Sequence, residues 1–309
     1  MGHPLWIGAQ ELERLMPDDI VRRHLAENLT RPLGGHPIRV VQPDGGGSVI
    51  LMAAGMVDGS LSVVKVLYVR PSNRVIHSPK PTLNGSVMMY NAAGDVMAVV
   101  DGAAFTGIRT AAVAAVSTAW LASSLQRQVV IGSGFEAYYH AKAVSALPGV
   151  EELRIWARNQ RSAEQLAQRL RDLPQFQDIA VRVDGHIQDA VKDADVITTV
   201  TSSPLPLLIG DILPHTVLVN AMGAYQPTTR ELASDVVAGA RLYADSVSAC
   251  LAEAGDYLIP AKFGLIDLND IMPLSQAAQD GPQEGRTIMK SVGTMLFDLI
   301  CAECLMHRM

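Results

Sequence analysis

The sequence predicts an α/β chain in which a doubly wound parallel sheet is joined to a smaller, strand-rich α+β unit. Three observations carry this expectation. A run of β-formers, Gln128-Val-Val-Ile131, ends in Gly132-Ser-Gly134 and is followed by a stretch of small residues at 138–147. From about Gln126 onward, β-like and helix-like segments alternate, as parallel strands with helical crossovers do. The first hundred or so residues instead carry short β-like runs separated by turn residues, the pattern of a strand meander.

Taken in order, residues 11–29 have helical spacing, and after Arg31-Pro-Leu-Gly-Gly35 come β-like runs at 38–42, 48–53, 60–69, 85–90 and 96–101. Pro43-Asp-Gly-Gly-Gly47, Asp58-Gly59, Pro71-Ser-Asn73 and Asn91-Ala-Ala-Gly-Asp95 supply the turns between them. Residues 108–123 read as a helix whose many alanines permit close packing. After the glycine turn come a strand at 153–159, a helix at 162–173, a strand at 179–183, a helix at 187–192 and a strand at 196–201. Further strands are expected at 217–220 and 241–244, and residues 285–306 are apolar with a helical period. The expected division is therefore residues 1–112 with 290–309 in one domain and 113–289 in the other.

With 309 residues, the chain is long enough for two cores. A net charge of -6 gives no reason to expect nucleic acid or an anionic membrane as partner, so any cationic site must be local. The start, Met1-Gly-His-Pro-Leu-Trp6, lacks a secretory pattern, and the weakly polar stretch 110–122 is too short to span a bilayer. Cys250, Cys301 and Cys304 make no disulfide framework, which fits a reducing cytoplasm. Cys301 and Cys304 have the spacing of a metal or redox pair but no second pair, so they read as core thiols and no metal is expected.

The glycine turn is the chemical centre of the sequence. Strand, Gly132-Ser-Gly134 and helix form a Rossmann-type dinucleotide fingerprint, with Ala137 where a third glycine often stands. Missing side chains let backbone N–H groups approach a pyrophosphate at the helix N-terminus. An NAD site would place a carboxylate at the end of the next strand; here Arg158, Asn159 and Arg161 stand there. Guanidinium groups make forked bonds to phosphate, so NADPH (NADP) is expected as the preferred cofactor, with NADH possible. The alternative for either arginine is a solvated charge at a helix start.

The ordered blocks Pro37-Ile-Arg-Val40, Val64-Lys65-Val66, Thr106-Gly-Ile-Arg-Thr-Ala-Ala112, Ile155-Trp-Ala-Arg158, Val219-Asn-Ala-Met-Gly223 with Arg230-Glu-Leu232, Glu253-Ala-Gly-Asp256 and Lys290-Ser-Val-Gly293 resemble the ornithine cyclodeaminase and mu-crystallin family along nearly the whole chain. The resemblance implies a homodimer whose strand-rich domain forms the interface and the amino-acid site, beside a nicotinamide-binding domain. It also implies redox chemistry at a carbon–nitrogen bond next to a carboxylate.

On that resemblance, Arg39, Lys65 and Arg109 hold the substrate carboxylate and form the catalytic set, with Arg109 also near the cofactor phosphates. Lys65 carries weight of its own, because it interrupts the apolar run Ser62-Val-Val-Lys-Val-Leu-Tyr68 and a lysine there needs an anion or a shifted pKa. The cofactor contacts implied are Thr82, Gly132, Ser133, Gly134, Phe135, Glu136, Arg158, Asn159, Thr201, Ser202, Met222 and Ser291. Glu253 lines the ligand pocket, and Tyr225 stands in the substrate site where cyclodeaminases place an aspartate.

That departure decides the expected chemistry. Tyr225 replaces the acid, and Ile50 replaces the glutamate that holds the distal amine of ornithine. Losing two carboxylates leaves a second amino group without partners. The expectation is an NAD(P)H-dependent reductase of a cyclic imino acid, Δ1-pyrroline-2-carboxylate to L-proline and also Δ1-piperideine-2-carboxylate to L-pipecolate. The alternatives are an acyclic imino-acid reductase or alanine-type dehydrogenase, an ornithine cyclodeaminase, and a non-catalytic NADPH- and ligand-binding protein.

Overall fold

The computed structural model describes residues 3–70, 72–75 and 81–309, with the side chains of 74 and 75 left aside. The chain divides into two compact units, Met1–Arg109 with Met295–Met309, and Thr110–Thr294. Met1 and Gly2 of the expected leaderless start, and Pro71 of the expected turn, lie outside the described residues.

The first unit is built on a six-stranded sheet. Its elements are β1 (Leu5–Ile7), α1 (Ala9–Leu15), α2 (Asp18–Asn28), β2 (Ile38–Pro43), β3 (Ser48–Gly55), β4 (Leu61–Val69), α3 (Ser72–Val75), β5 (Leu83–Asn91), β6 (Val96–Asp101) and the start of α4 (Gly102–Leu121). Strands β2 to β6 form an antiparallel meander and β1 adds in parallel to β6, giving the order β1-β6-β5-β4-β3-β2. Along β4 every second residue, Leu61, Val63, Lys65 and Leu67, is buried, as a one-sided sheet requires.

Two expectations fail here for local reasons. The single helix at 11–29 is two helices, because Pro17 cannot donate an amide bond to the preceding turn and Met16 leaves helical geometry. The alanine-rich helix begins six residues earlier than 108, at Gly102. At 20 residues, α4 has the length and composition to cross a bilayer, and 83% of its apolar window is buried in the protein. The boundary between the units falls within α4.

The second unit holds β7 (Arg127–Ile131), α5 (Phe135–Ser145), β8 (Glu152–Trp156), α6 (Gln160–Arg171), β9 (Ala180–Val183), α7 (Ile187–Val191), β10 (Val196–Thr199) and β11 (Val217–Ala221). It continues with α8 (Ser234–Val237), β12 (Arg241–Ala244), α9 (Val247–Glu253), α10 (Gly255–Lys262), β13 (Met272–Pro273), α11 (Leu274–Asp280) and β14 (Arg286–Lys290). All eight strands pair in parallel in the order β13-β12-β14-β11-β10-β7-β8-β9. Its central strands read as unbroken apolar runs because helices cover both faces; Val129, Val130 and Ile131 of β7 are all buried. On α6, Ala163, Leu166, Ala167 and Leu170 form the stripe that faces inward.

The tail is the largest correction. Residues 285–306 are not one helix: β14 fills the gap between β11 and β12, and α12 (Met295–Met306) returns to the first unit, where it packs against α2, β3 and β4. A strand buried on both faces shows no period that would separate it from helix. Gly293, at φ +91°, marks the break between them.

Candidate functional site

In the second unit the chain reverses strand order between β7 and β10, where doubly wound sheets bind their ligands. Gly132 ends β7 at φ +135°, and a Cβ there would stand 2.9 Å from the Val200 carbonyl oxygen. Glycine is therefore required at that point of the turn. The Gly132 N–H donates to the Trp156 carbonyl at 2.8 Å, which ties the turn to the end of β8. Helix α5 then starts at Phe135 behind Gly134, with no side chain capping it. Uncapped amides at the N-terminus of an 11-residue helix suit a pyrophosphate. Ser133, Gly134, Phe135 and Glu136 are half-buried around this end, and the Phe135 ring packs on Tyr139 at 5.0 Å between centroids.

Beyond β8, Arg158 and Asn159 are exposed. Asn159 caps α6, its Oδ1 accepting from the Ser162 N–H at 3.1 Å, a local task that sequence reasoning had not assigned to it. Arg158 makes no ion pair among the described residues, and Arg161 beside it is exposed as well. No carboxylate occurs from Ala157 to Ser162. This loop fits a dianionic phosphate better than a bare ribose hydroxyl.

The loops beyond β10, β11 and β14 carry the other expected contacts. Thr201 is half-buried and its hydroxyl donates to Glu231 at 2.8 Å; Ser202 is exposed and Met222 half-buried. Ser291 is buried and its hydroxyl donates to Asp245 Oδ2 at 2.7 Å, an oxygen that also accepts the N–H groups of Val292 and Gly293. Tyr225 lies half-buried against the core of this unit, and Glu253 ends α9 half-buried. Thr82 belongs to the first unit, where its carbonyl accepts from the Arg70 N–H at 2.7 Å.

A buried ion pair closes the second unit. Lys290 Nζ lies 2.9 Å from Asp256 Oδ2 and donates to the Ala221 carbonyl at 3.1 Å. Burial works against its charge, but Asp256 and Glu231 outweigh that and hold the amine above the usual lysine range.

In the first unit the sheet register brings the cations together. Arg39 on β2 pairs with Met52 on β3, and Met52 pairs with Lys65 on β4, so the three side chains share one face. Arg39 is half-buried, with Nη1 3.7 Å from the Met52 sulfur. Lys65 is fully buried and donates from Nζ to Asp298 Oδ1 on α12 at 2.6 Å. Arg109 comes to the same oxygen from α4, with Nε at 3.5 Å.

Lys65 and Arg109 thus converge on a single carboxylate oxygen. Burial pushes the Lys65 amine down to about 8, Arg109 and Arg39 push the same way, and Asp298 only partly offsets them. Among the described residues, Arg109 Nε and Nη1 are buried without hydrogen-bond acceptors, and Asp298 Oδ2 is buried without a donor. Buried unsatisfied guanidinium atoms are costly, and an incoming carboxylate would satisfy one of them with a charge-assisted bond.

Sequence reasoning missed Asp298 and Glu231. The argument that singled out Lys65, a charge inside an apolar strand, applies equally to Asp298 inside the apolar helix α12. Glu231 stood within a family-like block, but nothing in the sequence showed that it is buried. Cys301 and Cys304 are free and buried in α12.

The fold and these groups define a Rossmann-type α/β protein with a second sheet unit that bears a cationic cluster. The chain belongs to the ornithine cyclodeaminase/mu-crystallin family, whose sequence model matches residues 35–308. It is 34% identical over 254 residues to a Δ1-pyrroline-2-carboxylate reductase of Bacillus cereus, covering 79% of this chain and 76% of that protein. It is 33% identical over 225 residues to the ketimine reductase mu-crystallin of Rattus norvegicus, covering 72% of this chain and 69% of that protein. Among solved structures, the Thermococcus litoralis Δ1-pyrroline-2-carboxylate reductase in complex with NADH and L-proline superposes with a TM-score of 0.86 at 24% identity, covering 98% of this chain and 97% of that one.

Proposed function

We propose that this protein is an NAD(P)H-dependent reductase of cyclic imino acids, with Δ1-pyrroline-2-carboxylate reduced to L-proline as its main reaction and Δ1-piperideine-2-carboxylate as a second substrate. The observation that carries the reading is the meeting of Arg39, Lys65 and Arg109 on one face, with Arg109 Nε and Nη1 lacking acceptors among the described residues, in a chain whose relatives are named for this chemistry. Tyr225 and Ile50 support it against a cyclodeaminase, since neither offers a carboxylate to a second amine.

A reduced nicotinamide, when bound, supplies the hydride. The residues of the chain bind and protonate. Arg109 and Arg39 hold the substrate carboxylate, which fixes the plane of the neighbouring C=N bond. As that bond gains hydride at carbon, its π pair goes to nitrogen. Lys65, with its proton on Nζ and an amine value near neutrality, keeps that nitrogen protonated. The α5 N-terminus and the Gly132 turn would hold the pyrophosphate, and Arg158 the 2′-phosphate that gives NADPH its preference. The reading includes a homodimer formed through the strand-rich unit and a cytoplasmic location.

Purified protein supplied with NADPH and Δ1-pyrroline-2-carboxylate should oxidise the cofactor and yield L-proline. Absence of turnover across cyclic imines from pH 6 to pH 9 would overturn the reading. The cofactor preference has its own test: Arg158→Asp should weaken NADPH binding by about 2–4 kcal/mol through a lost charge-assisted bond plus repulsion, and affect NADH much less.

A further inference from the structure

Glu231 is fully buried and lies outside the residues assigned above to substrate or cofactor. Its Oε1 accepts from the N–H and the hydroxyl of Thr201, both at 2.8 Å. Its Oε2 accepts from the Thr199 hydroxyl at 2.9 Å, the Gly223 N–H at 2.7 Å and the Ala224 N–H at 3.3 Å. Five donors use up the roughly four lone-pair sites of a carboxylate, leaving none for a ligand. Thr199 ends β10 and Thr201 follows it; Gly223 and Ala224 follow β11. One side chain therefore binds together the loops leaving two adjacent strands.

The loops also touch directly. A Cβ on Gly223 would overlap the Thr201 backbone and Glu231 Oε1, so the two segments pass at the closest approach that a glycine allows. Glu231 is in turn held in place by Asp256, whose Oδ1 accepts the N–H groups of Glu231 and Leu232 at 2.8 and 2.9 Å. Lys290 neutralises the pair from the end of β14. A backbone, two carboxylates and one ammonium thus fix the same edge of the sheet.

Position gives this anchor its meaning. With the strand reversal between β7 and β10, the glycine turn follows β7 and the ribose-reading segment follows β8, on one side of the switch point. A dinucleotide extended across that point must lay its other half over the ends of β10 and β11. We infer that Glu231 is a positioning residue for the nicotinamide-ribose half of the cofactor: it sets the Thr201 and Gly223 loops without touching the ligand. The inference rests on the dinucleotide reading of the proposed function.

The test uses Glu231→Gln in the full chain. The amide keeps the shape but points an NH2 at backbone donors of one loop, while Lys290 keeps Asp256 as partner. Binding of NADPH and of ADP, the probe for the other half, is measured by titration for both proteins, together with kcat and KM for Δ1-pyrroline-2-carboxylate. NADPH affinity should fall by about tenfold or more, the size of a lost charged hydrogen bond, and kcat should fall with it. ADP affinity should stay within about twofold, because the β7 and β8 segments make no bond to Glu231. An equal loss for ADP and NADPH, or unchanged NADPH binding and kcat, would overturn the inference. A parent protein that binds neither NADPH nor NADH would instead sink the dinucleotide reading itself. Should Glu231→Gln fail to fold, Thr199→Val removes one anchor bond from a buried hydroxyl at no change in shape, and the same split between NADPH and ADP decides the question at smaller amplitude.

Discussion

Lys65 and Lys290 are both wholly buried, and each has a carboxylate oxygen within 2.9 Å, yet their amines are driven in opposite directions. The difference lies in what surrounds each pair. Lys65 shares Asp298 with Arg109, and the charges of Arg109 and Arg39 both work against its own. Lys290 faces Asp256 and Glu231; both Glu231 oxygens and Asp256 Oδ1 accept backbone or hydroxyl donors, and Asp256 Oδ2 meets the Lys290 ammonium at 2.9 Å. At Lys65 burial and the neighbouring guanidinium charges prevail; at Lys290 the two carboxylates do. Carboxylates gathered round a buried ammonium hold its charge for the scaffold, whereas a buried amine beside guanidinium charges and unmet Arg109 donors suits an incoming anion.

Removing each lysine should separate the two roles. Lys65→Met should lower kcat for the imine on the order of 10²–10⁴, the range of a lost general acid, and raise KM as well. Its urea midpoint should move less than that of the companion variant. Lys290→Met strands two buried carboxylates and should cost about 3–5 kcal/mol of stability, read from urea unfolding. The reverse outcome, an unfolded Lys65 variant and a stable but inactive Lys290 variant, would break the comparison.

Smaller effects sharpen it. Arg39→Ala should raise KM for the imino acid by about 10–100-fold, as loss of a charged hydrogen bond does, and leave NADPH binding nearly unchanged. Equal loss for both ligands would place Arg39 elsewhere. The pH profile is subtler. If Lys65 donates its proton, kcat/KM should fall as pH rises through about 8, since only the ammonium form of the free protein is an acid. Asp298→Asn removes an anion that favours that form, so the falling limb should move to lower pH by roughly one unit. An unshifted limb would mean that another group carries the proton.

The sequence made the second unit legible because its strands are short, apolar and punctuated by glycine, and because Gly132 has a backbone duty no other residue could perform. The meander was readable for a similar reason: β4 alternates, and Lys65 stands out against that alternation. What escaped was anything that depends on a partner distant in sequence. β14 looks like the start of a helix until β11 and β12 flank it, and Asp298 looks like a blemish in α12 until Lys65 meets it. The break at Pro17 was local and could have been read, since proline at that point removes a helical amide bond. Asn159 carries, besides the ligand contact the resemblance implies, a helix cap that its place after β8 made readable.

The ion pair between Lys65 and Asp298 joins residues 233 positions apart, with the whole second unit made in between. During synthesis at about 5–20 residues per second, β4 would wait on the order of tens of seconds before the carboxylate that neutralises its lysine exists. The first unit can begin as a sheet but cannot finish its core until α12 arrives. The second unit is continuous in sequence and has no such wait. A ribosome-bound chain that stops short of α12 should therefore expose the Lys65 face of its sheet while the second unit is already folded.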